Sequence, residues 1–283
     1  IQAEEPVVKW DKANLSQNIK KEQAGSAGGS LPSYGAPSLL ERVKFLAIVG
    51  GNMDEFFMKR IGGLTRLSFS TQGKMKGELI ADIAAVPKLR KLTLWWSGHE
   101  GVNDDHLAPL AACRHLEELK IGAYPTLTDQ SLKHLTSLTN LRTLVLGGEK
   151  LTDDGLKQLA SLKQLRELDI QGTLSDGSVL DVLKAAPLET LEVRRLTDET
   201  AALLKHFPNL KSLGVYDSSM TDAGFAAIAG LKRLQYLTMR NCPNIPSSSF
   251  TALGNMHSLT RIDMRDTPFG DEALAVITNL DLE

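Results

Sequence analysis

The chain has 283 residues, 42% hydrophobic and 23% charged, with a formal net charge of −2. That balance excludes a global positive field for holding nucleic acid or an acidic membrane surface, and no apolar run approaches the ~20 residues of a membrane helix. Two cysteines, Cys113 and Cys242, are too few for a disulfide framework.

Residues 1–36 are polar, and "EQAGSAGGSLPSYGAP" is rich in Gly, Ser, Ala and Pro. Such a composition buries little apolar surface and predicts a flexible arm, with Trp10 its one large apolar group. Ile1-Gln2-Ala3 reads either as the stub of a removed signal peptide or as the point where the chain was cut. Localisation stays open between cytoplasmic and exported after signal removal.

Residues 37–63 predict a helical hairpin. In "PSLLERVKFLAIV", Pro37 and Ser38 suit a helix start, Leu39, Leu40, Val43, Leu46 and Ile48 supply apolar surface, and Gly50-Gly51 stops the helix. Asn52 then sits as an N-cap with Glu55 three residues on. Asp54 and Glu55 in the first turn and Lys59 and Arg60 in the last favour the helix dipole, and Gly62-Gly63 ends it. An amphipathic hairpin there would cap the open end of whatever stacks behind it.

The stretch "PSLLERVKFLAIVGGNMDEFFMKRIGGL", residues 37–64, closely resembles part of the N-terminal domain of bacterial polyphosphate kinase. The resemblance implies that Asn52, just before the hydrophobic-Asp-Glu-Phe run, contacts an ATP base, and makes ATP and polyphosphate the alternative ligands. The large kinase domains with their phosphorylated His and phosphate-binding Arg residues have no counterpart. Phosphoryl transfer needs anchored phosphates, neutralising cations and an in-line nucleophile, so an enzyme is the lesser expectation.

From Leu64 a Leu-x-x-Leu-x-Leu pattern recurs at Leu89, Leu116, Leu141, Leu165, Leu188, Leu210, Leu234 and Leu259. The step is about 24 residues, inside the roughly 20–29 of leucine-rich repeats. A second half follows each strand motif: "LTDQSLKHL", "LTDDGLKQL", "LTDETAALL" and "MTDAGFAAI". Thr128, Thr152, Thr197 and Thr221 are good N-caps, and Asp129, Asp153, Asp198 and Asp222 suit the positive end of a helix dipole. Leu156, Leu159 and Ala160 should share one helix face. Residues 64–280 resemble bacterial leucine-rich repeats of the cysteine-containing type. The implied fold class is α/β: a horseshoe solenoid of about nine repeats over 64–283, with parallel strands on the concave face and helices on the convex face.

The position eight after the first leucine holds Ser97, Thr173, Ser218, Cys242 and Thr267, small polar residues able to bond the turn backbone. Cys242 is thus a structural turn residue and Cys113 buried packing, too many repeats apart to bridge. The array breaks off at "NLDLE" with no distinct cap, which suggests a sequence that continues.

No catalytic constellation and no metal-ligand spacing emerges; a polar loop of His99, Glu100, Asp104, Asp105 and His106 is the nearest to one. No cofactor is expected. The concave face is the expected binding surface for a protein partner, with Arg194, Tyr216, Tyr236, Arg240, Arg261 and Arg265 as its main candidates and Trp95 as a second. Glu167, Asp169 and Glu192 make a neighbouring acidic patch. The bland alternative is a ladder of cross-strand ion pairs, each worth little.

Overall fold

The structure, a computed structural model, describes residues 65–71, 79–96, 102–123, 126–148, 150–171 and 177–278, together with 280 and 282. The polar arm, the hairpin and Asn52 lie outside the described residues. Among those described, nine strands form one parallel sheet in strict chain order. They are β1 Arg66–Thr71, β2 Lys91–Trp96, β3 Glu118–Ala123, β4 Thr143–Gly147, β5 Glu167–Gln171, β6 Thr190–Arg194, β7 Ser212–Tyr216, β8 Tyr236–Arg240 and β9 Arg261–Arg265.

The register explains the leucine pattern. Leu144 pairs with Leu168, Leu191 with Leu213 and Leu213 with Leu237, all buried. Side chains alternate across a strand, so Leu-x-Leu sends both leucines to the helix side and the intervening residues to the opposite face. The leading leucine of each motif from Leu89 onward, such as Leu116, Leu141 or Leu165, is buried at the corner before the strand. Each such leucine contributes about 1.5–3 kcal/mol by leaving water. On β9 the equivalent Ile262 and Met264 are only half-buried, since no strand follows among the described residues.

Helices pack behind the sheet: α1 Leu79–Ala84, α2 Asp104–Leu107, α3 Asp129–Leu135, α4 Asp153–Leu156, α5 Leu180–Leu183, α6 Asp198–Ala201, α7 Asp222–Ala229 and α8 Asp271–Ile277. Several last a single turn and tighten into 3-10 segments, at Ala108–Ala112, Lys157–Ser161 and Ala202–His206; Ser247–Asn255 is 3-10 throughout. This corrects the expected face of the fourth helix. Leu156 and Leu159 are buried, but Ala160 is exposed and Leu162 takes its place. A period of three residues per turn keeps 156, 159 and 162 in one column.

The Thr-Asp pairs do more than cap. Thr152 and Thr197 accept from backbone N–H groups in their own helices, as expected. The aspartates after Thr128 and Thr197, and Asp104 after Asn103, also reach into the next repeat. Asp129 accepts from Thr152 N at 2.8 Å and from its hydroxyl at 2.7 Å. Asp104 holds Thr128 in the same way, at 2.8 and 2.6 Å. Asp198 accepts from Thr221 N and Oγ1, both at 2.7 Å, and from Gly224 N at 2.8 Å. Thr221 makes no side-chain cap of its own: the Gly224 N–H that its hydroxyl would take is bound by Asp198, which caps α7 from the repeat before.

That carboxylate needs room. A Cβ at Gly155 would overlap Asp129 Oδ1, far inside van der Waals contact distance, and one at Gly224 would stand 2.7 Å from Asp198 Oδ1. Glycine in a first turn lowers helix propensity by about 1 kcal/mol against alanine, and here the close approach of the neighbouring repeat requires it.

A second ladder runs through position eight. Ser218 Oγ accepts from Leu196 N at 3.0 Å and donates to Tyr216 O at 2.9 Å. Thr267 Oγ1 accepts from Cys242 N at 3.4 Å and donates to Arg265 O at 3.1 Å. Cys242 occupies the same station between them, its Sγ 3.6 Å from Arg240 O. Both thiols are buried and unpaired, and burial pushes Cys113 up to about 11 and Cys242 upward too.

Candidate interaction surface on the concave face

The concave residues of β6–β9 are aligned by the way those strands end. Arg195, Asp217, Asn241 and Asp266 follow the four strands with φ of 58°, 50°, 53° and 51°. Asp and Asn tolerate this left-handed conformation, whereas Arg195 is held there against its preference. Each turn is tied forward: Arg195 N donates to Tyr216 O, Asp217 N to Arg240 O and Asn241 N to Arg265 O, all at 2.9 Å. Identical exits keep the strands in register, so Arg194, Tyr216, Arg240 and Arg265 form one continuous row of Cα partners. Tyr236 and Arg261 pair in a second row.

Within the first row Tyr216 lies flat. Its ring covers Gly214, where a Cβ would stand 2.9 Å from Cε2. The Arg194 guanidinium sits 4.8 Å from the ring centroid and that of Arg240 6.0 Å, on either side along the row. Such stacking adds about 0.5–1 kcal/mol at an exposed site. The Tyr216 hydroxyl bonds the Glu192 carboxylate; burial first, then that carboxylate, raise it above the ordinary tyrosine value, so it remains a protonated donor.

The arginines are also braced by acids. Arg194 Nη1 meets Asp217 Oδ2 at 3.0 Å, and Asn241 Nδ2 donates to Asp217 Oδ1 at 2.9 Å. Asp263 accepts from Arg240 Nη2 at 2.7 Å and from Arg265 Nε at 3.1 Å; Arg240 and then Arg265 hold its carboxyl below the ordinary carboxylate range. Arg240 Nε is buried without a hydrogen-bond partner among the described residues. The second row differs: Tyr236 is 41% exposed, and neither it nor Arg261 has a side-chain partner among the described residues.

Six of the seven concave candidates thus come together on β6–β9. Trp95 stands apart on β2, 38% exposed, its ring edge 3.1 Å from where a Cβ of Gly122 would be. Between the two regions Lys120 bridges to Glu167 at 3.5 Å across β4, and Val145 beneath is only 5% exposed although it faces the concave side. Asp217, Asp263 and Gly214 are absent from a selection based on Tyr and Arg alone. Gly214 carried a signal, because a glycine inside a strand marks a close approach.

The polar loop near residue 100 dissolves as a site where it is described. Asp104 is spent on Thr128, and His106 Nδ1 accepts from Asn103 N at 3.1 Å in a capping box. Among the described residues no cluster of three or more His, Cys, Asp or Glu is placed to hold a metal. No described helix is long and apolar enough to cross a membrane.

Comparison with known proteins agrees with this architecture. The polyphosphate kinase N-terminal domain family matches residues 35–90. The match runs past residue 64 into β1 and α1, which here belong to the first turn of the solenoid. Among solved structures, an internalin (inlF) from Listeria monocytogenes superposes with a TM-score of 0.53 at 19% identity, over 74% of this chain and 57% of that one. An internalin C2 (inlC2) from the same organism gives 0.49 at 19% identity, over 83% and 88%. This chain therefore spans little more than half the length of the first, and the likeness is one of fold. No curated protein sequence matches. The class is plain: the chain is an α/β leucine-rich-repeat solenoid with an internalin-like sheet. It also carries a segment similar to the polyphosphate kinase N-terminal domain.

Proposed function

We propose that the chain is a non-enzymatic binding module that engages a protein partner through the concave face of β6–β9. One observation carries this: a held Arg-Tyr-Arg-Arg row lies beside Tyr236 and Arg261, which have no side-chain partner among the described residues. Tyr and Arg are enriched in binding hot spots, where they bring large contact area and directional bonds. Rows braced before binding lose little freedom on contact, which favours Arg194, Tyr216, Arg240 and Arg265 as a fixed platform and Tyr236 and Arg261 as the reaching groups. In this reading residues 1–36 form an arm, 37–63 a hairpin that caps the first repeat, and 64–283 the binding domain. Trp95 forms a second, lesser contact.

The test is affinity capture compared between the wild-type chain, Tyr216→Ala/Tyr236→Ala, and a convex control, Lys205→Glu. Polypeptides retained by wild type and control but lost from the concave variant support the proposal. A retained set indifferent to the concave substitutions refutes it.

A second reading rests on the family match at residues 35–90: a polyphosphate-kinase-related segment that retains ATP or polyphosphate binding through Asn52. Calorimetric titration with each ligand decides it, since heat lost in Asn52→Ala would favour it and no heat with either would sink it.

A further inference from the structure

Charge on the concave face is segregated around Tyr216. Over β5 and β6 stand Glu167, Asp169 and Glu192, against Arg194, which is tied to Asp217, and Lys120, which reaches Glu167 from β3. Over β8 and β9 stand Arg240, Arg261 and Arg265, against the single carboxylate Asp263. The strand between, β7, offers only Ser212, Gly214 and Tyr216. Because the strands stay in order and in register, these are two fields at a fixed separation.

Strands lie about 4.8 Å apart, so β6 to β9 is roughly 14 Å and β5 to β9 roughly 19 Å. An extended chain advances about 3.3 Å per residue and covers that span in about four to six residues. We propose that the protein partner lays an extended segment across β5–β9, with a basic residue over Glu192 and Asp169 and, about four to six residues along, an acidic residue at Arg261 or Arg265. This rests on the concave-face reading above and names the chemistry it selects.

Two features favour this occupant over others. A nucleic acid would bring phosphates along its whole length and meet repulsion over β5 and β6. A purely acidic segment would meet the same repulsion at one end. Asp263 already answers Arg240 and Arg265, so the basic field has room for one or two carboxylates, and Arg261, with no side-chain partner among the described residues, is the guanidinium best placed to donate to one.

The experiment selects displayed random 12-residue peptides on the full chain and then repeats binding on Arg261→Glu/Arg265→Glu. Enriched peptides should share the basic-to-acidic spacing and lose at least about tenfold in affinity for the reversed chain. A peptide whose acidic residue is changed to lysine should regain that affinity on the reversed chain. Arg261→Gln, which removes no side-chain partner seen among the described residues, should weaken the original peptide in the same direction with an unchanged thermal melt. No enrichment, enrichment without the spacing, or no rescue by the swapped peptide overturns the inference. If peptides bind but Tyr216→Ala and Tyr236→Ala leave their affinity unchanged, the concave-face reading itself falls as well.

Discussion

Asp198 offers the sharpest test of how the repeats are joined. Its carboxylate accepts three hydrogen bonds from the following repeat: Thr221 N, Thr221 Oγ1 and Gly224 N. Hydrogen bonds to a charged group are worth about 1.5–3 kcal/mol when sheltered. This carboxylate is half-buried at the surface, so about 0.5–1 kcal/mol each is the screened figure. Asp198→Ala should then cost about 2 kcal/mol, or roughly 4–8 °C in melting temperature for a chain of this size. Asp198→Asn should cost less than half of that. Its amide oxygen can replace Oδ1, which takes both backbone N–H groups, and its amide nitrogen can donate to the Thr221 hydroxyl. A helix-dipole role alone predicts something different: equal losses of about 0.3–1 kcal/mol for both substitutions, since both remove the charge. Urea unfolding of the three chains at pH 7 decides, and equal losses in Ala and Asn would refute the inter-repeat clasp. The pH dependence adds a check. The Thr221 N–H first, then the Thr221 hydroxyl and the Gly224 N–H, hold the Asp198 carboxyl below its ordinary value. A carboxyl lowered on folding stabilises above its unfolded value, near 3.9, and that contribution is lost as pH falls through the lower folded value. The advantage of wild type over Asp198→Asn should be full at pH 7 and shrink below about pH 4.

Gly155→Ala should lose about 1–2 kcal/mol in the same assay despite its better helix propensity, because the methyl evicts Asp129 from Thr152; a stabilised variant would refute that packing. Phe250, buried, packs edge-on to Phe225 at 4.8 Å and tilted on Phe269 at 5.3 Å. Phe250→Ala should cost about 3–5 kcal/mol by denaturant unfolding, while Tyr236→Ala, on the open face, should cost under about 0.5 kcal/mol. Both buried thiols should resist a disulfide-exchange reagent at pH 8 in the native chain and react fully in denaturant, and Cys242→Ser should leave the melt nearly unchanged because serine already fills that station at Ser218.

The strands are legible in the sequence because two alternations coincide: Leu-x-Leu within a strand and about 24 residues between strands, so that Leu144, Leu168 and Leu191 announce one another. The concave candidates follow by parity, since whatever lies between two inward leucines faces out. The links between repeats are much less legible. Asp198 reads as a dipole partner of its own helix, because nothing local reveals that Thr221 and Gly224 lie beside it. The end of the fourth helix is misread for a related reason. The apolar residues Leu156, Leu159 and Ala160 fit a period of 3.6, and only Leu162, beyond the expected helix, betrays a period of three. At the candidate surface, residue type pointed to Tyr216 and Arg240. The brace of Asp263, reached across one strand boundary, depends on a register that sequence alone does not display.

The clasp between neighbouring repeats also bears on mechanics. Every strand pairs only with the strands before and after it in the chain, and every Asp-Thr clasp joins consecutive repeats. A load applied across the described repeats is therefore carried by a series of similar short seams, with no long-range tie among the described residues to share it. Pulled in this way, the solenoid should lengthen in steps of one repeat, about 24 residues of chain at a time. The order of release is then set by the weakest clasp still holding.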